Sequence, residues 1–295
     1  MPAFLSVRHA LLALAIVAVW GTNFVVIRFG LNQFPPLLFA ALRFTFAALP
    51  MTLFLPRPKV RLANLAAYGV ITGAGQFGLL FLAMQGHISP GLASLVIQTQ
   101  VFFTIGLSVY RTGERLLAYQ LAALLLAVAG IVVIGAHADA SATPLGLGLV
   151  LLAAMSWSGG NIIAREGRAA NMVAYVVWAS LFSAPPLFAL SWLFEGRAAM
   201  AGALLHADAN GWACVLWQTV GNTLFGFAGW AWLLARYPAA TVSPMALLVP
   251  VFGMATSAWL LGEALPAWKL LAACLVIGGM VVGTAYPRWR AAREA

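Results

Sequence analysis

Ten apolar runs, most of them separated by only a few residues, constrain this chain more than any other feature. They lie at about 10–29, 36–55, 64–86, 91–110, 116–135, 144–165, 172–194, 211–235, 240–261 and 267–285. A helix of about 20 apolar residues crosses a hydrocarbon core roughly 30 Å thick, and within that core each backbone N–H and C=O must find its partner inside the protein. The pattern predicts an all-α integral membrane protein of ten transmembrane helices, with no segment left for a soluble domain. The longer gap around Glu195 to Asn210 has room for a small interfacial helix. Arg8 ahead of the first run imitates a signal peptide, but that run is long enough to span and no small-residue cleavage site follows it, so a retained first helix is expected.

Composition agrees. The chain is 63% hydrophobic and 8% charged, where a soluble domain carries about 25% charge. The net charge of +9 invites a nucleic-acid reading, but the basic residues sit in the gaps between runs, where positive cytoplasmic loops explain them. With the N-terminus in the cytoplasm, the inner segments hold Arg8, Arg57, Lys59, Arg61, Arg111, Arg115, Arg165, Arg168, Arg236, Arg288, Arg290 and Arg293, the outer ones only Arg28, Arg197 and Lys269, and Arg43 falls within the second run. That bias of 12 against 3 predicts both termini inside. Cys214 and Cys274 lie in apolar runs with no metal-like spacing and are expected to be buried thiols.

The chain also repeats itself. Setting Gly113-Glu114 on Gly262-Glu263, an offset of 149 residues, puts Ser94 on Ser243, Phe103 on Phe252, Tyr110 on Trp259 and Gly130 on Gly279. Trp20 and Arg28 are echoed at the same spacing by Trp157 and Arg165. The division predicts a first unit over 1–140 and a second over 141–295, five helices each. An odd number of helices per unit forces the two into opposite orientations, and inverted repeats mark transporters that rock around a mid-membrane site.

Several motifs resemble the EamA family of the drug/metabolite transporter superfamily: Trp20-Gly21-Thr22-Asn23, Arg43-Phe44, Gly113-Glu114 and Gly262-Glu263. Pro35-Pro36-Leu37-Leu38, Gly91 to Val96 and Leu247 to Val251 are similar to bacterial inner-membrane amino-acid exporters for cysteine and O-acetylserine or for aromatic amino acids. The resemblance covers nearly the whole chain and implies ten helices, cytoplasmic termini and efflux of small metabolites. One departure is Ser156-Trp157-Ser158, where the pattern has Trp-Gly.

Polar side chains deep in apolar runs point to a cavity or to another helix. Those near mid-membrane are Asn23, Gln76, Gln98, Gln100, Asn161, Gln218 and Asn222. Gln218 and Asn222 share a helix face at i, i+4, as do Trp157 with Asn161 and Ser94 with Gln98, whereas Gln98 and Gln100 point apart. Amides donate to a carboxylate and accept from an ammonium, which suits a zwitterionic amino acid. The candidate substrate-binding set is Trp20, Asn23, Gln76, Ser94, Gln98, Trp157, Asn161, Gln218 and Asn222; the same amides also serve as glue between helices. Arg43 lies some way from mid-depth and reads as structural, snorkelling outward along its stem or pairing with a carbonyl; the alternative is that it attracts a substrate carboxylate. Gly69 with Gly73, and Gly279 with Gly283, have the spacing of close helix contacts. Pro244 and Pro250 are candidate hinges in the ninth run; their repeat partners Leu95 and Val101 leave the fourth run expected to be unbroken.

All seven acidic residues, Glu114, Asp139, Glu166, Glu195, Asp208, Glu263 and Glu294, lie at or beyond run ends, so no carboxylate offers itself as a mid-membrane proton relay or Na⁺ ligand. There is no phosphate-binding loop and no clustered His, Asp or Glu for a metal or a membrane enzyme. The reading is a facilitative exporter of amino acids or related metabolites, in the bacterial cytoplasmic membrane, with no catalysis, cofactor or nucleic-acid partner. The alternatives are an integral-membrane enzyme or an exporter of a non-amino-acid metabolite.

Overall fold

The computed structural model of the chain describes residues 6–112, 117–137, 141–237 and 242–294; the Gly113-Glu114 turn lies outside them. The described residues are nearly all helical, with a single isolated β-bridge between Ile88 and Ala142. Among the described residues, seven helices are long and apolar enough to cross a membrane: α1 (Val7–Gly30), α2 (Pro36–Phe54), α3 (Leu62–Met84), α4 (long and apolar over Pro90–Leu107), α5 (Ala118–Ala136), α6 (Pro144–Gly167) and α7 (Met172–Phe194). The gap expected to hold a small interfacial helix contains α8 (Arg197–His206), with no buried residue. Next, α9 runs in three pieces, Ala209–Leu216, Trp217–Phe225 and Gly226–Arg236, and α10 in two, Ser243–Leu248 and Val249–Leu261. The chain closes with α11 (Ala267–Glu294).

Local sequence sets the helix starts. The Thr143, Asn171 and Asp208 side chains accept from first-turn amides of α6, α7 and α9, the role of an N-cap. Pro36, Pro90 and Pro144 occupy first-turn positions, where the missing N–H costs nothing. The outer surface of the bundle is apolar, with Leu53, Leu193 and Trp259 exposed, as lipid contact requires. Cys274 is exposed on that surface, contrary to the expected burial; only Cys214 is buried.

The turns sort into two faces. On one, the Ser89 N–H donates to Ser141 O at 2.8 Å and the Thr143 N–H to His87 O at 2.9 Å, while Glu263 bonds Ser89 and Glu195 bonds the first turn of α2. On the other, Asn64 donates to Ile163 O at 2.8 Å, Trp178 to Leu55 O at 3.0 Å, and His9 meets the Tyr237 hydroxyl at 2.6 Å.

Close helix contacts rest on glycine. A Cβ on Gly130 of α5 would lie 3.0 Å from Ala272 O, and one on Gly279 of α11 would lie 2.6 Å from Ala123 O. The offset of 149 residues relates Gly130 to Gly279 and Ala123 to Ala272, so the contact is reciprocal, as across a two-fold axis. Because 123 meets 279 and 130 meets 272, α5 and α11 run antiparallel. Gly69 and Gly73 of α3 press on Ala179 and Ser183 of α7, with the small-xxx-small spacing read from the sequence. At a third crossing Gly21 of α1 abuts Val249 and Phe252, and Gly253 of α10 abuts Ser94 of α4.

Four helices depart from α geometry in matched places. A π-helical stretch covers Ile71–Gly78 in α3 and Trp217–Phe225 in α9. A 3₁₀ stretch covers Ile97–Thr99 in α4 and Ser243–Leu248 in α10. The fourth run is therefore not unbroken. It lacks proline, but the Thr99 hydroxyl donates back to Val96 O at 2.8 Å, an i to i−3 bond that competes with the regular ladder. In α10 the two prolines fall in the first turns of their pieces, where a helix tolerates them; Pro244 opens the first piece and Pro250 marks its junction with the second.

Candidate functional site

The densest buried polar cluster lies where α1, α2 and the π-stretch of α9 meet. The widened turn of α9 brings Gln218, Thr219, Asn222 and Thr223 to bear on α2, all four buried; π-helical turns of this kind recur at functional sites. At the centre stands Arg43 of α2, with no exposed surface. Its Nε donates to Thr223 Oγ1 at 3.2 Å and its Nη1 to Gln218 Oε1 at 3.0 Å. With the amide oxygen of Asn222 turned towards the guanidinium, Nη2 donates to it at 3.0 Å and Nη1 at 3.2 Å; that orientation is the one the hydrogen bonding supports. Gln218 Nε2 in turn donates to Asn23 Oδ1 of α1 at 2.7 Å. The Thr219 hydroxyl donates to Arg43 O at 3.4 Å and the Thr223 hydroxyl to Gln218 O at 2.8 Å. The Trp20 indole N–H reaches Asn222 O at 3.2 Å, and the ring leaves no room for a Cβ at Gly226.

This cluster is positively charged, and among the described residues no carboxylate pairs with Arg43. An arginine keeps its charge in a protein, and among the described residues Glu263 with Lys269 is the ion pair seen. Amide and hydroxyl dipoles solvate the guanidinium, and the Phe77 face lies 3.7 Å and the Phe44 ring 5.3 Å from Cζ, within cation–π range. Beside Arg43 opens a cavity of about 10 Å³, walled by Phe44, Tyr68, Phe77, Phe227 and the serines 180 and 183, room for about one water.

Of the residues expected from sequence, Trp20, Asn23, Gln218 and Asn222 come together in this cluster. Gln76 is buried in the π-stretch of α3. Gln98 donates to Ala246 O across the α4–α10 contact at 3.3 Å. Asn161 donates to Gln100 Oε1 at 3.1 Å, and Trp157 packs half-buried against the main core. The Ser94 hydroxyl is spent on Gly91 O at 2.6 Å, within its own helix, and faces Gly253 at the helix crossing. Pro250 is buried at the start of the second piece of α10; the side chain of Pro244 lies outside the described residues. Arg43, read as structural, is the hub. Its signal in the sequence was a full charge inside an apolar run of a chain whose every acidic residue lies at a run end.

Two carboxylates tie helix starts on the face opposite His9. Glu195 accepts from the Leu37 and Leu38 amides at 2.6 and 3.1 Å and from the Ser191 hydroxyl at 2.5 Å. It borders an open vestibule of about 660 Å³ that also takes in Gln33, Gln85 and His206. Glu263 accepts from Ser89 Oγ at 2.5 Å, the Gly91 amide at 3.0 Å, Ser257 Oγ at 2.7 Å and Lys269 Nζ at 3.0 Å. Burial pushes its carboxyl up, but the Ser89, Ser257 and Lys269 donors, with the charge of Lys269, outweigh that and hold it below the usual carboxylate range.

Comparison with known proteins places this architecture. The model of the EamA-like transporter family matches residues 8–136 and again 144–284. The chain belongs to the EamA-like transporter family. It is 39% identical over 298 residues to a probable amino-acid metabolite efflux pump of Escherichia coli (strain K12), covering 98% of each chain. It is 40% identical over 288 residues to the protein of the same description in Salmonella typhimurium, covering 94% of this chain and 95% of that one. A solved structure described only as "Crystal structure of protein" superposes with a TM-score of 0.62 at 19% identity, covering 95% of this chain and 98% of the other, which bears on the fold alone. This EamA-like transporter is thus a multi-pass membrane protein with its polar cluster buried between helices that depart from α geometry.

Proposed function

We propose that this protein exports amino acids and related small metabolites across the bacterial cytoplasmic membrane by alternating access. On this reading two five-helix units, 1–140 and 141–295, are inverted with respect to each other and ten helices cross the membrane, both termini facing the cytoplasm. They rock around a site formed by Trp20, Asn23, Gln218 and Asn222 with Arg43, while Gln76, Gln98, Trp157 and Asn161 line the opposing side. The observation that carries it is the reciprocal, antiparallel packing of α5 on α11 through Gly130 and Gly279, which is what two inverted copies of one unit produce. The matched π and 3₁₀ stretches, the sorting of turns into two faces and the double match to the family model support the same frame. The amino-acid assignment leans on the descriptions of the two enterobacterial relatives.

Transport is proposed to be facilitative, because the polar groups of the cluster around Arg43 are amides, hydroxyls and one arginine that keeps its proton, and none of these relays a proton readily near neutral pH. The test is counterflow in proteoliposomes loaded with each of the twenty amino acids, with nucleosides and sugars as controls and no ion gradient imposed. Saturable exchange of at least one amino acid is expected. Exchange only of the control solutes overturns the substrate class, and exchange that requires an imposed pH gradient overturns the facilitative mechanism.

A further inference from the structure

We infer that Arg43 is a carboxylate socket, so that the substrate is selected for a carboxylate and not for an ammonium. This rests on the proposed export function and adds which end of the substrate the site reads. Arg43 is fully buried, and a buried charge is ordinarily paired with an opposite one. Its charge is instead met by neutral oxygens of Thr223, Gln218 and Asn222. A neutral cage can hold a guanidinium but leaves its field uncancelled, and the incoming group that cancels it is an anion.

The direction of the hydrogen bonds sharpens this. The side-chain oxygens of Gln218 and Asn222 are turned towards Arg43, that of Asn23 takes the Gln218 amide, and the main-chain oxygen of Asn222 takes Trp20. Arg43 fills both lone pairs of the Asn222 side-chain oxygen, and the Gln218 and Asn23 side-chain oxygens each already take a protein donor, while the Asn23 Nδ2 and one N–H of Arg43 Nη2 remain to donate. The one N–H of Nη2 that the cage leaves unused is a charge-assisted donor for a carboxylate oxygen. The neighbouring cavity is walled by Phe44, Phe77 and Phe227, which suits an apolar group attached to that carboxylate. In this conformation the cavity holds about one water, so entry of the substrate goes with separation of α2 and α9 from α3 and α7.

The predicted class is therefore monocarboxylates carrying an apolar side chain, with the amino group optional: amino acids, their N-acylated forms and the corresponding 2-oxo acids. The test takes the amino acid that exchanges best in counterflow through the wild-type protein and compares it with its N-acetyl derivative, its carboxamide and its decarboxylated amine. Retained exchange of the N-acetyl derivative is expected, with a loss of about 30-fold or more for the carboxamide and the amine, the scale of one buried charge-assisted interaction. A carboxamide or amine exchanged as well as the parent, or an N-acetyl derivative rejected like the amine, overturns the socket while leaving amino-acid export standing. If no amino acid exchanges at all, the export reading itself falls. Arg43→Gln supplies the second arm: monodisperse protein that has lost the discrimination between acid and carboxamide supports the socket, and unchanged discrimination refutes it. Should that variant fail to fold, the wild-type series decides alone.

Discussion

Replacing Glu263 by glutamine tests whether one carboxylate fastens three parts of the bundle. Glu263 holds the start of α4 through Ser89 and Gly91, the end of α10 through Ser257 and the first turn of α11 through Lys269. The side chains of Lys269 and Glu263 are only 4% and 9% exposed, so solvent does not compensate for the loss. Glutamine keeps one acceptor oxygen but sets an NH₂ against donors and leaves Lys269 charged and unpaired, a change that costs about 3–5 kcal/mol for a buried pair. At roughly 2 °C per kcal/mol for a chain of this size, Glu263→Gln lowers the melting temperature by about 6–10 °C, read as recovery of monodisperse protein by size exclusion after heating in detergent. Lys269→Met removes one of four donors and costs less, about 1–2 kcal/mol. The double variant no longer strands a buried ammonium, so it falls short of the sum by about 1.5 kcal/mol or more. The pH dependence follows from the depressed carboxyl: its stabilisation is complete above the unfolded value near pH 4.3 and is lost only as pH falls through the lower folded value. The clasp thus contributes equally from pH 5 to pH 8. A Glu263→Gln protein melting within about 1 °C of wild type, or a double variant that is strictly additive, would refute the argument.

Two further outcomes follow from the helix contacts. Gly278→Ala and Gly279→Ala are neighbours on α11 with opposite expectations: nothing lies within 4 Å of a Cβ at 278, whereas one at 279 sits 2.6 Å from Ala123 O. The first is therefore neutral or stabilising by up to about 1 kcal/mol and the second destabilising by about 1–3 kcal/mol, and equal melting temperatures contradict the contact. Pro250→Ala restores an N–H where the two pieces of α10 meet; maximal counterflow is expected to fall about threefold or more with the half-saturating concentration unchanged, as for a slowed conformational step, and an unaltered rate ends the hinge reading.

Much of the scaffold was legible because bilayers read length and hydropathy directly. The apolar runs, the interfacial helix in the Glu195–Asn210 gap and the glycine spacing of Gly69 with Gly73 all depend on residues near one another in sequence. Gln218 and Asn222 were legible for the same reason: a spacing of four survives even in a π-stretch well enough to present both to one neighbour. What escaped depends on distant partners. Arg43 looked peripheral by its place within its run, but depth along one helix does not reveal that Gln218 and Thr223 come to meet it from a run 175 and 180 positions away. The 3₁₀ turn of α4 escaped because proline was the only break signal sought, when a threonine hydroxyl bonding back to its own helix also disturbs the ladder. Ser94 shares a face with Gln98 as expected, yet that face meets Gly253, and no local rule distinguishes a helix crossing from a cavity wall.

The repeat and the charge together suggest how such a site reads one end of its cargo. The π-stretch of α9 packs on α2 and that of α3 packs on α7, so this packing occurs twice. Its chemistry does not. Where α2 gives α9 a buried arginine, α7 gives α3 two serines whose hydroxyls are already committed, Ser180 to Val176 O at 2.8 Å and Ser183 to Gly69 O at 2.7 Å. A symmetric frame lets the two units exchange conformations at similar energy, which alternating access needs. On the proposed reading, a single charge on one of the two units lets a carboxylate bind in one orientation only. Doubling the charge would remove that polarity and set two guanidinium groups facing each other in a medium of low dielectric. On the proposed reading, a carboxylate-reading carrier built from inverted copies keeps the repeat in its backbone and breaks it at one side chain, Arg43.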